Sequence, residues 1–456
     1  LSNGSYKNLY YFKLTLISDI LIIRASLNNF SKKSFYLNFC KMENILIINQ
    51  YSSTPKTGYA GRSFYLASEL AKKHECALIS SNYNHLLKNS FKQETKTEEN
   101  LGFPFKIIAL KVLKITNSRS IKRILNWILF SIKLVFLSKK SIGFIPTKII
   151  YSSPSLISYL GAYFLARKFE CKLYFEVRDI WPLTIKSFNS KYEKSFLIKP
   201  MEIVEKFAYE TCNGLISNLS SLPDYVEKIT NKKPPFLFLP NGISKSEEMN
   251  SISDSYRSNE ARDVLSKINN LKNSGKIVVC YCGGLSQANA MELFVNSAFS
   301  TKDDLSIFWL IVGDGPEKEK LKDLSRSFNL KNLDFYPSVR KKEVLNIYKS
   351  VDILFLANNF LDLYKYGISP MKLPEYLISG TPIIHVTNSK SLLDELKCWS
   401  VVSIFDKNAV SNEVYKISNM DKAELKRNSE IAIRSARKFL SYENLANELD
   451  EFLSSY

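Results

Sequence analysis

The sequence has few of the residues that usually build metal sites and disulfide frameworks. It contains three histidines and seven cysteines in 456 residues, and the cysteines are scattered apart from Cys280 and Cys282. That pair falls inside an apolar stretch, so we interpret it as part of a buried strand. No zinc-ligand spacing is present, and the cysteine usage is that of a reducing cytoplasm. The sequence therefore predicts no metal site.

Long apolar runs and the glycine fingerprint of dinucleotide-binding proteins are also missing. The chain has no stretch of about 20 uninterrupted apolar residues, which argues against a spanning helix. A loop containing Gly58 and ending at Arg62 follows the first predicted strand, but it lacks the G-x-G-x-x-G spacing. A glycine-containing loop between strand and helix is nevertheless a usual ligand site in α/β proteins.

Acidic residues are absent from one long window, residues 100–169, which holds twelve Lys or Arg residues in a chain of net charge +19. At its centre, periodicity predicts a helix with Trp127, Phe130 and Leu134 on one side and basic residues at both ends. This pattern is typical of a helix that lies in an anionic membrane surface. We do not expect nucleic acid as the partner, because no nucleic-acid-binding module accompanies the charge.

The chain does contain a regular alternation of apolar strands and helices. Its length suits two domains rather than one core, and the alternation predicts two doubly wound parallel sheets that face a cleft. The predicted parts are a leader (1–41, a translation artefact or a membrane-surface helix), a first Rossmann-like domain (42–243), a linker (244–275), a second Rossmann-like domain (276–430) and a C-terminal helix (431–456).

Residues 365–385 combine a Gly/Ser/Pro loop, a short helix, a Gly-Thr-Pro stop and a strand. Free backbone N–H groups near Ser369, together with Lys372, predict an anion site. One turn further, the Glu375 carboxylate can accept hydrogen bonds from vicinal hydroxyls such as those of a ribose. Together these features indicate a nucleotide diphosphate, and the alternative is a βαβ unit with a surface Lys and Glu.

Two further segments of the second domain are candidates for the same ligand. Gly283 and Gly284 follow the strand predicted at 276–281, and we expect them to open a helix whose N-terminus holds phosphate. Arg340 ends a loop that we expect to line the nucleotide site.

In the first domain, a strand ends in the charged residues Glu176, Arg178 and Asp179. The carboxyl ends of strands are where α/β folds place their chemistry. These three residues are therefore the catalytic candidates, and a salt-bridged strand end is the alternative.

The 365–385 motif resembles the donor-binding motif of retaining glycosyltransferases of family 4. In most of that family two glutamates bracket the motif; Glu375 matches the second, whereas Gly367 occupies the position of the first. The form of the motif found here, and the Glu-x-Arg-Asp-x-Trp-Pro segment that begins at Glu176, resemble a bacterial fucosaminyltransferase-like subgroup of O-antigen and capsule synthesis. Most of the family has His-Asp where this chain has Arg178 and Asp179.

The resemblance implies a GT-B fold and a metal-independent enzyme without a cofactor that uses a nucleotide diphosphate sugar, with UDP as the expected nucleotide. It implies transfer with retention to a lipid-linked acceptor, at the inner face of the bacterial plasma membrane. It also implies that Arg62 faces the cleft, that Asp179 or Glu176 orients the acceptor hydroxyl, and that the C-terminal helix returns to the first domain. Two alternatives remain: a GT-B-like nucleotide-sugar 2-epimerase, and a catalytically degenerate nucleotide-sugar-binding protein.

Overall fold

The computed structural model describes residues 42–58, 60–84, 87, 102–114, 122–188, 198–245, 248 and 257–456. The predicted leader, and parts of the basic window and of the linker, lie outside these residues. No helix in the described part of the chain is long and apolar enough to cross a membrane.

The first domain is built on seven short apolar strands. They are β1 (Asn44–Ile48), β2 (Glu75–Ser81), β3 (Lys106–Leu110), β4 (Lys148–Ser152), β5 (Lys172–Val177), β6 (Gly214–Ser217) and β7 (Phe236–Phe238). All pair in parallel, in the order β3-β2-β1-β4-β5-β6-β7. Successive side chains of a strand point to opposite faces, so Ile45 and Ile47 enter one core cluster and Leu46 and Ile48 the other.

Seven helices of the described residues connect and cover these strands. They are α1 (Arg62–Leu70), α2 (Lys122–Val135), α3 (Lys139–Ile142), α4 (Ser158–Phe169), α5 (Leu183–Phe188), α6 (Ile198–Thr211) and α7 (Leu222–Thr230). Helices α2 and α4 pack closely because Gly161 has no side chain: a Cβ there would lie 2.3 Å from the Ser131 carbonyl oxygen.

The second domain repeats this construction with six parallel strands. They are β8 (Ile277–Cys282), β9 (Ile307–Val312), β10 (Leu333–Tyr336), β11 (Ile353–Ala357), β12 (Ile383–Val386) and β13 (Ser400–Val402), in the order β10-β9-β8-β11-β12-β13. As predicted, Cys280 and Cys282 are buried in a strand, β8, and both are free thiols.

From the linker to the end of the chain, the described residues form nine further helices. They are α8 (Asn259–Asn273), α9 (Met291–Ser300), α10 (Lys318–Ser327), α11 (Val344–Ser350), α12 (Leu373–Ser379), α13 (Leu392–Leu396), α14 (Lys407–Ser418), α15 (Lys422–Phe439) and α16 (Tyr442–Ser455). Helix α15 packs on α12 in the second domain, whereas α16 packs on α1 in the first. Leu445, Leu449 and Leu453 of α16 are buried in the core beside Phe64 of α1.

The side of α2 predicted to face a membrane is buried in the protein. Trp127, Phe130 and Leu134 are at most 5% exposed and belong to the first domain's core. Their periodicity is that of a core-facing stripe, so the assignment of these three residues to a membrane surface is corrected.

Candidate functional site

The loops after β5 and β6 of the first domain meet the loop after β11 of the second. The backbone N–H of Ser221 donates to the carbonyl oxygen of Tyr366 over 2.9 Å. The Tyr366 ring is buried in the first domain's core, 4.9 Å from the ring of Tyr225. The carboxyl ends of both sheets therefore border the space between the domains, where doubly wound folds bind ligands.

Gly367, at the position of the first motif glutamate, is part of this contact. Its φ of +114° is a conformation that L side chains rarely adopt, and a Cβ there would lie 2.6 Å from the backbone nitrogen of Ser220. The close approach of the two domains at this point therefore requires glycine.

Ser369 joins the loop to the segment that links the domains. Its hydroxyl accepts from the Asn241 backbone N–H over 3.1 Å, and its carbonyl oxygen accepts from the Asn241 amide over 2.7 Å. The Ser369 side chain is thus engaged with the link after β7, and the prediction that backbone N–H groups near Ser369 bind a phosphate stays a prediction.

Lys372 and Gly283 lie against each other, as a shared donor site requires. A Cβ at Gly283, whose φ is +151°, would lie 2.0 Å from Cε of Lys372. The Lys372 ammonium donates to the Tyr281 hydroxyl over 3.1 Å and lies 4.8 Å from the centre of that ring. Among the described residues, no carboxylate is within ion-pairing distance of Lys372.

Burial, with a smaller contribution from the charge of the nearby Lys341, lowers the pKa of Lys372 to about 8. The Lys372 ammonium is half-buried, and the Tyr281 hydroxyl alone does not replace the hydration that its charge loses on burial. An anion placed beside it would restore that compensation, so this position suits a phosphate.

The helix expected directly after the double glycine begins later. A 3-10 turn, Gln287–Asn289, intervenes, and α9 begins at Met291. Gly284 instead presents open space, since no atom lies within 4 Å of the position that its Cβ would take. The prediction that a helix begins directly after Gly284 is therefore corrected.

Glu375 lies in the first turn of α12 and forms an ion pair with Lys341. Sequence reasoning missed Lys341, although it directly follows Arg340 in the loop after β10. Arg340 is exposed, and its backbone N–H donates to the buried Glu343 over 3.2 Å. This loop therefore places Lys341 beside the short helix that carries Glu375, and the exposed Arg340 directly precedes it.

In the first domain, Arg62 and Glu176 form a buried ion pair. Nε of Arg62 donates to Glu176 over 2.6 Å, and the same guanidinium donates to the carbonyl oxygens of Leu239 and Pro240. Burial alone would raise the pKa of Glu176, but Arg62 and then Arg178 hold it below its usual range. Both side chains are at most 3% exposed, so the Arg62 side chain points into the protein. That its loop faces the cleft stays a prediction. Gly58 lies in a turn and bridges to Leu87.

Arg178 and Asp179 are placed differently from Glu176. Part of Asp179 is exposed to solvent. Burial of its carboxyl group among neighbouring residues raises its pKa, and the charge of the nearby Arg178 offsets only part of that rise. Asp179 lies near Tyr364 of the second domain: burial and then the Asp179 charge raise the pKa of Tyr364 to about 12. The Arg178 backbone N–H donates to the Ser153 hydroxyl over 2.9 Å, which fixes the start of this loop.

Three buried polar atoms near these strand ends have no hydrogen-bond partner among the described residues: Nε of Arg178, Nε1 of Trp181 and Oδ1 of Asn218. A buried polar group without a partner costs about 1–3 kcal/mol, so these atoms are candidates to meet a ligand. Sequence reasoning missed Asn218; its position directly after β6, at the carboxyl edge, was the available signal.

The described residues contain no group of three or more His, Cys, Asp or Glu side chains arranged to hold a metal ion. The site that they do form combines cations, backbone and hydroxyl-bearing side chains.

Two facing Rossmann-like domains with a helix that returns from the second to the first define the GT-B class. Comparison with solved structures confirms this fold. Sucrose-phosphate synthase from Thermosynechococcus elongatus superimposes with a TM-score of 0.67 at 14% identity, over 91% of this chain and 98% of that one. Anabaena HepE in complex with UDP-glucose gives 0.59 at 10% identity, over 91% and 100%. WaaG, a glycosyltransferase involved in lipopolysaccharide biosynthesis, gives 0.57 at 12% identity, over 90% and 100%.

The sequence itself adds a more particular finding. Residues 265–434, which include Lys372 and Glu375, match the family described as Glycosyl transferases group 1. No curated protein matches the chain. The matched domain and the fold together support a GT-B glycosyltransferase that uses a nucleotide sugar.

Proposed function

We propose that the protein is a retaining family 4 glycosyltransferase that moves a sugar from a UDP-linked donor to a lipid-linked acceptor in bacterial surface polysaccharide synthesis. The observation that carries the proposal is the fit of Lys372 against Gly283 within the group 1 domain. The O-antigen or capsule role rests on the resemblance of the Glu176 and Glu375 motifs to the fucosaminyltransferase-like subgroup.

The donor's diphosphate lies beside Lys372 in this proposal. Transfer breaks the bond between the anomeric carbon and the diphosphate oxygen, so negative charge grows on the leaving group. A desolvated ammonium stabilises that charge strongly, and removal of one such group typically costs about 3–4 kcal/mol of transition-state stabilisation. The open space at Gly284 leaves room for a phosphate beside the backbone.

Glu375 receives the ribose hydroxyls, and its present partner Lys341 turns toward the diphosphate. This exchange keeps every charge compensated, because Lys341 leaves a carboxylate that gains hydroxyl donors. Lys372, Lys341 and Arg340 then supply the positive charge that a metal ion supplies in other transferases. We therefore expect transfer to proceed without a divalent cation.

The acceptor lies at the ends of β5 and β6, where Arg178, Trp181 and Asn218 have polar atoms without a partner in the described part of the chain. Arg178 binds its phosphate, and Asp179 orients the attacking hydroxyl. Glu176 contacts no substrate in this scheme and acts as a positioning residue through its ion pair with Arg62. Retention follows if the acceptor attacks from the face that the diphosphate leaves.

The test is transfer from labelled UDP-sugars by purified protein mixed with bacterial membranes, with and without EDTA. We expect label in the lipid fraction from wild type and almost none from Lys372→Met or Glu375→Ala, with EDTA having little effect. NMR of the product should give the donor's anomeric configuration. An epimerised nucleotide sugar, or donor binding without any transfer, would replace this proposal with one of its two alternatives.

A further inference from the structure

Helix α2 is apolar on two opposite faces, and the described protein covers only one. At 100° per residue, Leu125, Ile128, Ile132 and Phe136, just past its end, fall within an arc of about 80° opposite Phe130. These four side chains, which we call the outer stripe, are 40% to 77% exposed. A helix that is apolar all round is normally buried on all sides. The described residues leave the outer stripe uncovered, so we expect a partner to cover it.

The exposed apolar surface continues onto the neighbouring helix. Phe164 of α4 is 55% exposed, and Lys168 ties the two helices together by donating to the carbonyl oxygens of Val135 and Leu137. Exposed apolar side chains that are grouped on two adjacent helices indicate an interaction surface rather than the ordinary exposure of single residues.

The charged residues around the outer stripe are mainly basic, and the exposed Glu170, directly after α4, is the first acid that follows the basic window. Lys139 and Lys140, directly after it, and Arg167 on α4 are exposed. The described residues 102–114 and 122–169 contain no Asp or Glu. A second copy of the chain would bring the same basic rim against itself, which like charges disfavour. Anionic lipids complement both the apolar stripe and its basic rim.

The buried face of the same helix reaches the candidate acceptor residues. The Trp127 ring lies 6.4 Å from the ring of Trp181, and its indole N–H donates to the Tyr51 hydroxyl over 2.7 Å. An α-helix with its side chains is about 10–12 Å across. The outer stripe therefore lies about one helix diameter from the acceptor end of the site.

We propose that the outer stripe and its basic rim dock the protein on an anionic membrane surface, with the axis of α2 lying in the plane of the headgroups. This inference rests on the proposed function for its purpose, since a lipid-linked acceptor stays in the bilayer. It assigns the contact to the face opposite Trp127, Phe130 and Leu134.

The experiment is flotation of the full chain with vesicles of phosphatidylcholine alone or with 30% phosphatidylglycerol, without nucleotide sugar. Wild type should float with the anionic vesicles, and less so in 0.5 M salt. Ile132→Gln/Phe136→Gln should lower the bound-to-free ratio by about tenfold or more. Lys139→Gln/Lys140→Gln should remove most of the preference for phosphatidylglycerol.

The matched control is Leu305→Gln/Ile404→Gln, which removes two exposed apolar side chains from the second domain. It should bind vesicles as wild type does. This control and Ile132→Gln/Phe136→Gln should both keep the wild-type melting temperature. The proposal is overturned if Ile132→Gln/Phe136→Gln floats as wild type does, or if wild type binds neither vesicle. A dimer in sedimentation velocity that this variant abolishes, without vesicle binding, would assign the stripe to a second copy instead. Since the assay needs no sugar transfer, failure of the transferase proposal would leave its result unchanged.

Discussion

The strand ends of the two domains differ in how their charged residues are compensated. At the first domain's edge, Arg62 and Glu176 neutralise each other and are sealed from solvent. At the second domain's edge, Lys372 is held by glycine, a tyrosine ring and a hydroxyl, without a carboxylate among the described residues. The first arrangement stabilises the fold, whereas the second leaves charge available to a ligand. Charged residues at the carboxyl ends of strands can thus stabilise the fold or bind a ligand, and their hydrogen-bond and ion-pair partners distinguish the two roles.

The largest effect should come from breaking the sealed pair. Arg62→Ala leaves the Glu176 carboxylate buried without its main partner, which typically costs about 3–5 kcal/mol. Guanidinium chloride unfolding should show this loss, whereas Arg326→Ala, which breaks an exposed pair with Asp323, should cost about 1 kcal/mol or less. Equal losses in the two variants would contradict the structural role of the pair.

The ion pair of Arg62 and Glu176 also predicts how the free energy of unfolding depends on pH. Because the pKa of Glu176 is lowered in the folded protein, its stabilisation is present above the unfolded value of about 4.3. That stabilisation is lost as the pH falls through the folded value. Arg62→Met/Glu176→Met should therefore lose less stability between pH 6 and pH 3 than wild type does. An unchanged acid sensitivity would show that other carboxylates dominate.

The next largest effect should come from removing the Lys372 ammonium at the strand ends of the second domain. Lys372→Met keeps the apolar stem and should lower kcat/KM by about a hundredfold, near 3 kcal/mol. Because its pKa is about 8, wild-type kcat/KM should fall as the pH rises through 8, where the free enzyme loses the ammonium. The Lys372→Met profile should lack that fall.

Gly283→Ala should reproduce the defect, because its Cβ would occupy the position of the Lys372 side chain. The double variant Gly283→Ala/Lys372→Met should be little worse than Lys372→Met alone, since both changes remove one interaction. Additive losses would show that the two residues act separately.

A smaller effect should follow from restoring the family's first glutamate. Gly367→Glu places a side chain at positive φ against Ser220, at a cost of about 1–2 kcal/mol for the backbone alone. We expect activity to fall about tenfold, together with the melting temperature. Higher activity in this variant would show that the missing glutamate, rather than the domain contact, limits the enzyme.

The smallest effect should come from Asn218, whose Oδ1 atom at the strand ends of the first domain has no hydrogen-bond partner among the described residues. Asn218→Ala should raise the KM for the lipid acceptor by about fivefold, near 1 kcal/mol, with the donor KM unchanged. Transfer measured at varied acceptor and fixed donor gives this split. A rise in the donor KM instead would place Asn218 with the donor.

The fold and half of the site were accessible from the sequence because they depend on local patterns. Apolar runs such as Ile45 to Ile48 fix buried parallel strands, and the comparisons confirm the GT-B architecture. The proximity of Gly283 and Lys372 follows from motifs at neighbouring strand ends. The roles assigned to these residues remain predictions.

The remaining features depend on side-chain partners that lie far apart in sequence. The pattern around Glu176 does not reveal that Arg62, 114 positions away, seals its charge. Periodicity found one apolar stripe on α2 but could not decide whether it faced the core, so Trp127 was assigned to the wrong surface. Lys341 was missed because its partner Glu375 lies in another loop and helix.

The position of α16 has a consequence for the order in which the protein is made. Phe452 packs against Gly214, and the Tyr174 hydroxyl donates to the Leu453 carbonyl oxygen. These partners in β5 and β6 leave the ribosome long before α16, while the whole second domain is still being synthesised. The part of the first domain's core that α16 covers is therefore exposed during translation, beside the part that α1 already covers. The first domain can complete this core only after the second domain has emerged.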